Sequence, residues 1–457
     1  MKNYKDLIKK LTPMNRVHIG EETRKAYKLL NKFYPKSKYL RFSSYEKYNY
    51  WEIPPEWKVD YAKLTDEDGQ VIVDYKRDGF LSLFSYSPSF HGKVRLHELN
   101  EHLFSNPLLP DAYPFYFRNM YNFRNPVWGF SIPYNKRKNL KKCEYSVEIK
   151  TSFKKSELEM LEDTVHGKLK DSILMVGHFD HPAQCADGLM GCIAAHEIIK
   201  RLRQKEKTKL TYRALSTIEI IGSVFYSKFV KKKKIKEGLV TALSGIKGPL
   251  VFAKSLNENS YIDRVFLHLL SYIKKSKIVG FRDAIGNDEI AFDVHGVNVK
   301  CSSLMRWPYK YYHSDLDNFD KFNESSFENY IDIIMKAIHM IENNYIIKLN
   351  INGLPKLASK ELNLYISPGS MSGMSQESNE LEKKINKIYT NNNKKNNDLK
   401  KLNKLMVLLP GLADGKNTIL DVSERCSLPF ELVEIYINLW TEKKLLKKIW
   451  KNPLASK

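Results

Sequence analysis

Apolar and polar positions change rhythm several times along the chain. Over Glu21–Phe33 the apolar residues recur at helical spacing behind Gly20, so residues 1–50 read as mostly helical. From Trp51 apolar and polar residues alternate between Gly, Pro and Asp-Gly signals, with hairpin turns expected at Asp68-Gly69 and Asp78-Gly79. This texture, rich in aromatics and proline, marks residues 56–148 as a small β-rich unit. From Asp171 it becomes α/β. Ser172–Val176 is a continuous apolar run of the kind a buried parallel strand requires. Met190–Arg203 reads as an amphipathic helix, Leu210–Ile221 as a strand and Val224–Lys232 as the start of a helix. Ile262–Lys275 reads as a helix, Val297–Leu304 as a strand and Ser325–Asn344 as a long helix. Alternation of this kind implies an open, mostly parallel sheet covered on both faces, with ligands bound at the carboxyl ends of the strands.

Residues 369–397 are rich in Asn, Ser and Lys and read as a linker with a partly helical middle. Beyond it the pattern gives a helix, a turn at Asp414-Gly415, a helix over Thr418–Arg425, and a break at Ser427–Pro429. A helix over Phe430–Lys443 and a short basic strand follow. That order predicts a winged helix. No repeat of 20–50 residues is present.

Length and composition narrow the picture. At about 150 residues per domain, 457 residues suggest roughly three domains. A 42% hydrophobic content excludes wholesale disorder. No apolar run approaches the ~20 residues of a bilayer span, and the N-terminal MKNYKDLIKKLTPMNR lacks a signal-peptide apolar core, so no membrane span and a cytoplasmic location are expected. Five widely spaced cysteines with no CxxC pair exclude a disulfide framework and a structural zinc knuckle. The net charge of +23 raises nucleic acid as a partner, but arginine is scarce beside lysine and the excess is spread along the chain. From residue 401 onward there are ten Lys and Arg against six Asp and Glu, and Phe430–Lys443 carries Glu431, Glu434 and Glu442. Those glutamates would repel phosphates, so dimer or domain contacts are the preferred use of this module, including a homo-oligomer built through it.

Candidate chemistry concentrates in GHFDHPAQCADGLMG, residues 177–191, directly after the SILMV strand. His178, Asp180, His181 and Asp187 therefore occupy a loop at a strand's carboxyl end. Imidazole and carboxylate suit zinc, Asp180 could orient His178, and Asp187 suits a bridging carboxylate. Glu219 precedes Gly222-Ser223, Asp288 stands beside Glu289 in GNDEIAF, and His313 lies in YYHSDLDN with Asp315 and Asp317. His178, Asp187, Glu219, Asp288 and His313 form a set that fits a two-metal hydrolytic centre, with ions ~3.5–4 Å apart. HELNEH, residues 97–102, does not qualify as a zincin motif. Its histidines are five apart, about 140° around a helix.

The order of these motifs resembles the co-catalytic zinc aminopeptidases, and within them a bacterial group of aminopeptidase-like proteins with an inserted β domain and a C-terminal winged helix. The matching residues are His178-Phe179-Asp180, Asp187, Glu219 before Gly222-Ser223, Asp288 with Phe292, and His313 with Asp317. To these are added His181-Pro182, the Trp51–Trp57 segment, and Leu412–Lys416 with Ile419–Val422. The resemblance implies an α/β fold with a mostly parallel sheet flanked by helices. Residues 1–55 and 149–352 would form the aminopeptidase-like domain, with 56–148 as the inserted β domain, 353–398 as the connection and 399–457 as the winged helix. It also implies one or two Zn2+ ions. One would be held by His178, Asp187 and Asp288, the other by Asp187, Glu219 and His313, with Asp180, His181 and Asp317 as orienting residues. The implied activity is hydrolysis of an N-terminal peptide bond or related amide by a metal-activated water, with Glu219 and Asp180 as catalytic residues. The substrate would be a peptide or a small amide. An aminoacylated sugar in surface-polysaccharide biosynthesis is an alternative substrate, and a catalytically degenerate regulatory protein is an alternative role. The related enzymes carry two consecutive glutamates where this chain has Ile218-Glu219. Glu219 is therefore either a metal ligand with the base elsewhere, or the base itself.

Overall fold

The computed structural model describes residues 3–365 and 392–455, except for the side chains of 392–400. It divides into two compact units, Met1–Asp263 with Lys275–Ile334, and Arg264–Lys274 with Met335–Lys457. Among the described residues no helix is long and apolar enough to cross a membrane.

The first unit is built on an eight-stranded mixed sheet. Its strands are β1 (Lys38–Ser43), β2 (Glu157–Val165), β3 (Ser172–His178), β4 (Thr211–Thr217), β5 (Ile235–Thr241), β6 (Leu250–Ala253), β7 (Ser276–Val279) and β8 (Lys300–Arg306). The spatial order is β1-β2-β4-β3-β5-β8-β6-β7. The central four, β4-β3-β5-β8, run parallel, while β1, β2 and β6 join by antiparallel pairing. Every residue of β3 is buried, as its unbroken apolar run requires. The helix Leu189–Arg203 follows β3 and buries twelve of its residues. It starts so close to the sheet that a Cβ at Gly191 would lie 2.0 Å from the Thr241 carbonyl oxygen.

A four-stranded antiparallel sheet within residues 56–154 carries its own core, centred on Trp57, Leu64, Tyr86, Val94, Phe130 and Tyr145. Glu56–Asp66 turns into Val71–Asp74 through Gly69 at φ +82°, the hairpin expected there. The hairpin expected at Asp78-Gly79 is instead one helical turn, Tyr75–Asp78. The Asp74 side chain caps it by accepting from the Lys76 N–H, and Gly79 ends it. The first fifty residues are less helical than their pattern suggests, because KYLRFS forms the edge strand β1. Strand β4 ends at Thr217, and the helix expected from Val224 begins at Ile221 and gives way to a 3-10 turn at Ser227–Phe229.

In the second unit, strand Tyr345–Leu349 lies between Asp414–Thr418 and Leu446–Trp450 in a three-stranded sheet. Asp414-Gly415 thus begins a strand instead of forming a free turn. Helices Ile419–Cys426 and Phe430–Glu442 accompany the sheet, the first closed by a Thr418/Asp421 capping box. Most of the linker reading, residues 369–391, lies outside the described residues, and a helix runs from Asn392 to Leu412.

Two tests follow from this packing. Gly191→Ala should cost about 3 kcal/mol or more, because backbone must shift to admit the methyl, and the thermal midpoint reports it. Glu237, buried on β5, accepts from the N–H groups of Tyr261 and Ile262. Burial nevertheless lifts its carboxyl from 4.5 to about 7. Between those values the folded chain holds a proton that the unfolded chain releases, so stability falls as pH rises through this window. Glu237→Gln should flatten that slope in melting curves recorded from pH 4.5 to 7.5.

Candidate metal centre

The loop from Phe179 to Gly188 joins β3 to its helix and carries three of the expected residues. It is almost wholly buried, so its backbone groups need internal partners. Two charged side chains supply them. The Arg16 guanidinium, itself fully buried, donates to the carbonyls of Phe179 and Gln184. The Asp317 carboxylate accepts from the N–H groups of Ala186 (2.8 Å) and Asp187 (2.9 Å), and also from the Tyr309 hydroxyl. Burial lifts the Asp317 carboxyl to about 6. His181 (φ +86°) and His313 (φ +54°) occupy the left-handed region that non-glycine residues avoid, as residues at functional sites often do. Gly188 is at φ +87°, and a Cβ there would lie 2.8 Å from the His178 ring.

Asp187 is at the middle of the cluster. Its Oδ1 lies 3.4 Å from His178 Nε2. Its Oδ2 lies 3.0 Å from His181 Nδ1 and 3.1 Å from His313 Nε2. The other ring nitrogen of His181 is 3.3 Å from Glu219 Oε2. Ligand atoms of His178, His181 and Asp187 all lie within 4.8 Å of one another. His181, expected to orient other residues, thus sits inside the group. Asp180 accepts from the Glu219 N–H (3.0 Å) and lies 3.5 Å from His178 Nδ1. Its second oxygen faces His18 Nε2 at 3.2 Å. Asp288 is fully buried at the start of the helical turn Glu289–Phe292. Glu289 is occupied elsewhere, accepting from the Asn287 N–H and from Arg282. Asp315 accepts from the Tyr113 N–H.

Charge dominates the electrostatics. Burial alone would raise the Asp187 and Asp180 carboxyls, but the surrounding imidazoles hold both well below the usual carboxylate range. Burial pulls His181 down, and Asp187 and Glu219 lift it to about 9. Burial, with the Glu219 charge nearby, pushes Asp288 well up. Both ring nitrogens of His178, both oxygens of Asp288 and Nε2 of His313 are buried without a hydrogen-bond partner. Asp180 and Asp187 approach the His178 and His313 nitrogens to 3.1–3.5 Å without hydrogen-bonding them, whereas His181 Nδ1 and Asp187 Oδ2 do form a hydrogen bond. The His178–His181–Asp187 group, with these unsatisfied N and O atoms nearby, fits a divalent cation such as zinc.

Aromatic side chains cover the group. Phe115 lies 4.8 Å from the His181 ring, Phe117 5.3 Å from His313, and Tyr312 stacks on His313 at 3.9 Å. The Tyr121 hydroxyl donates to the Glu219 carbonyl oxygen at 3.0 Å. The β-rich region therefore contributes directly to the site, through residues 113–121. Arg16, His18 and these aromatics were not marked by the sequence pattern, since none stands in a spaced motif.

Residues 5–344 match a family described as a domain of unknown function, DUF4910. The chain belongs to this family. A Clostridium acetobutylicum protein, provisionally named for polysaccharide biosynthesis and an aminopeptidase-like domain, is 27% identical over 97% of this chain and 96% of its own. A crystal structure of a candidate peptidase from the same organism aligns with TM-score 0.79 at 25% identity, covering 97% of this chain and 96% of that one. BSAP, a zinc aminopeptidase from Bacillus subtilis, shares the fold at 13% identity with TM-score 0.55, over 74% of this chain and 94% of its own. An M28 peptidase is also among the structural neighbours.

Asp317→Ala should cost about 2–4 kcal/mol, since it strands two buried N–H groups and a buried hydroxyl. Asp317→Asn, which keeps one accepting oxygen, should fall between it and the parent protein in thermal melts.

Proposed function

We propose that the protein is a metal-dependent hydrolase of the aminopeptidase kind, releasing an N-terminal residue or cleaving a related amide. The observation that carries this reading is the buried His178–His181–Asp187 group, with unpartnered atoms on His178, His313 and Asp288, in a fold shared with bacterial peptidases. His178, His181, Asp187, Asp288 and His313 would hold one or two zinc ions, Asp187 facing histidines with both its oxygens. The bound metal would supply an acidified water and a polarised carbonyl.

In this reading His181 takes the place of the second glutamate that the related enzymes carry, which frees Glu219 to act as the base. Glu219 is the carboxylate of the group with the most solvent access, its side chain 17% exposed against 1–2% for Asp180 and Asp187. Its backbone is fixed from both sides, the N–H by Asp180 and the carbonyl by Tyr121. Glu219 Oε2 would accept the proton of the attacking water and pass it to the leaving amine. Asp180, anchored by His18, would act as a positioning residue on His178 and Glu219. Phe115, Phe117 and Tyr312 would exclude bulk water. The Clostridium relative's name supports a substrate drawn from polysaccharide biosynthesis. The C-terminal sheet and helices support a winged-helix reading, used for protein contacts.

Metal analysis of protein purified without chelator should find stoichiometric zinc. His178→Ala and Asp288→Asn should lose it, and aminoacyl-anilide cleavage with it. Glu219→Gln should keep the metal while turnover falls about 10²–10⁴-fold. Loss of metal in Glu219→Gln would assign Glu219 as a ligand instead, and a metal-free, zinc-unresponsive parent protein would rule out the hydrolase reading.

A further inference from the structure

Beside the cluster, Lys47–Tyr48 pairs with Trp51–Glu52 in a short hairpin. Its two turn residues, Asn49 (φ +47°) and Tyr50 (φ +64°), are both left-handed, as such tight hairpins require. Asparagine suits that conformation, whereas a bulky tyrosine there is strained. The fold gains nothing from the Tyr50 side chain, which is fully exposed. An aromatic ring held out to solvent in this way is open to a ligand.

The hairpin borders a cavity of about 240 Å³ whose lining includes Tyr50, Trp51, Glu52, Tyr121, Asn122 and Arg124. Arg124 grips Glu52 with two N–H groups, one at 3.1 Å. Its guanidinium lies over the rings of Tyr45 (4.8 Å) and Phe123 (5.3 Å). This leaves a rigid pair that offers acceptor lone pairs and spare N–H donors while carrying no net charge. Aromatic surface next to a neutral donor–acceptor pair matches a ligand with one apolar face and a rim of hydroxyls. A charged ligand would find no counter-charge, and a plain hydrocarbon would leave the pair unused.

We propose that this cavity is a sugar subsite, binding one neutral pyranose ring against Tyr50 and Trp51 with its hydroxyls on the Glu52–Arg124 pair. The subsite adjoins the candidate centre. Tyr121 lines the cavity and holds the Glu219 carbonyl, and Ile221, two residues after Glu219, also lines it. A ring bound here would present an attached amide to Glu219, a consequence that rests on the hydrolase reading. Ring binding itself does not.

The full-length protein, zinc-loaded and chelator-treated, is titrated with the methyl glycosides of glucose, galactose, N-acetylglucosamine and N-acetylgalactosamine. Binding is followed by saturation-transfer NMR and tryptophan fluorescence. At least one glycoside should bind, equally in both metal states. Affinity should fall at least tenfold in Tyr50→Ala, whose melting temperature stays unchanged, and in Glu52→Gln. Absence of binding by all four, or equal binding by both variants, would overturn the subsite, as would displacement of the glycoside by trialanine amide with a tighter dissociation constant. Glycoside binding by a protein that takes up no zinc would support the subsite and defeat the hydrolase reading alone.

Discussion

The arrangement depends on one buried loop being satisfied at both kinds of backbone group. Arg16 saturates carbonyls of the 179–188 segment while Asp317 saturates its amides, from opposite ends of the first unit's sequence. A buried loop with orphan backbone groups would rearrange to find water. With those groups paired, the chain can hold His181 and Gly188 at positive φ and aim Asp187 between three imidazoles. The acids and histidines around it repel and attract strongly at low dielectric, so their positions must be imposed by the scaffold and not by their own preferences.

Much of this was legible in the sequence for a definite reason. A buried parallel strand must be an apolar run, and SILMV announces both the strand and the loop after it. His178, Asp187, Glu219, Asp288 and His313 each follow or precede an identifiable element, so their order could be matched to that of the zinc aminopeptidases the chain resembles. What was not legible is contact between distant segments. Arg16 bonds to residues more than 160 positions away, and nothing in NRVHIG signals it. His18, paired with Asp180, is hidden in the same way. Local chemistry also misled: Asp78-Gly79 looks like a hairpin turn, but the Asp74 cap turns the preceding residues into helix.

The β-rich region takes on a different meaning in this light. Its core is separate, but the 113–121 segment pairs with residues 313–315 and places aromatic rings over the histidines. A region that covers the centre in this way changes what can approach it without altering the donors themselves. The net charge of +23 belongs to neither feature, because the centre is locally acidic and the cavity beside it is balanced.

The C-terminal sheet has an order of assembly built into it. Its middle strand, Tyr345–Leu349, leaves the ribosome before either neighbour, and the whole stretch from Asn350 to Ala413 comes out first. At about 5–20 residues per second, that apolar strand waits roughly 3–13 s for its first partner. During that interval both its edges are open to strands of other chains. A nascent chain halted between residues 350 and 413 therefore carries a sticky strand that the finished protein conceals.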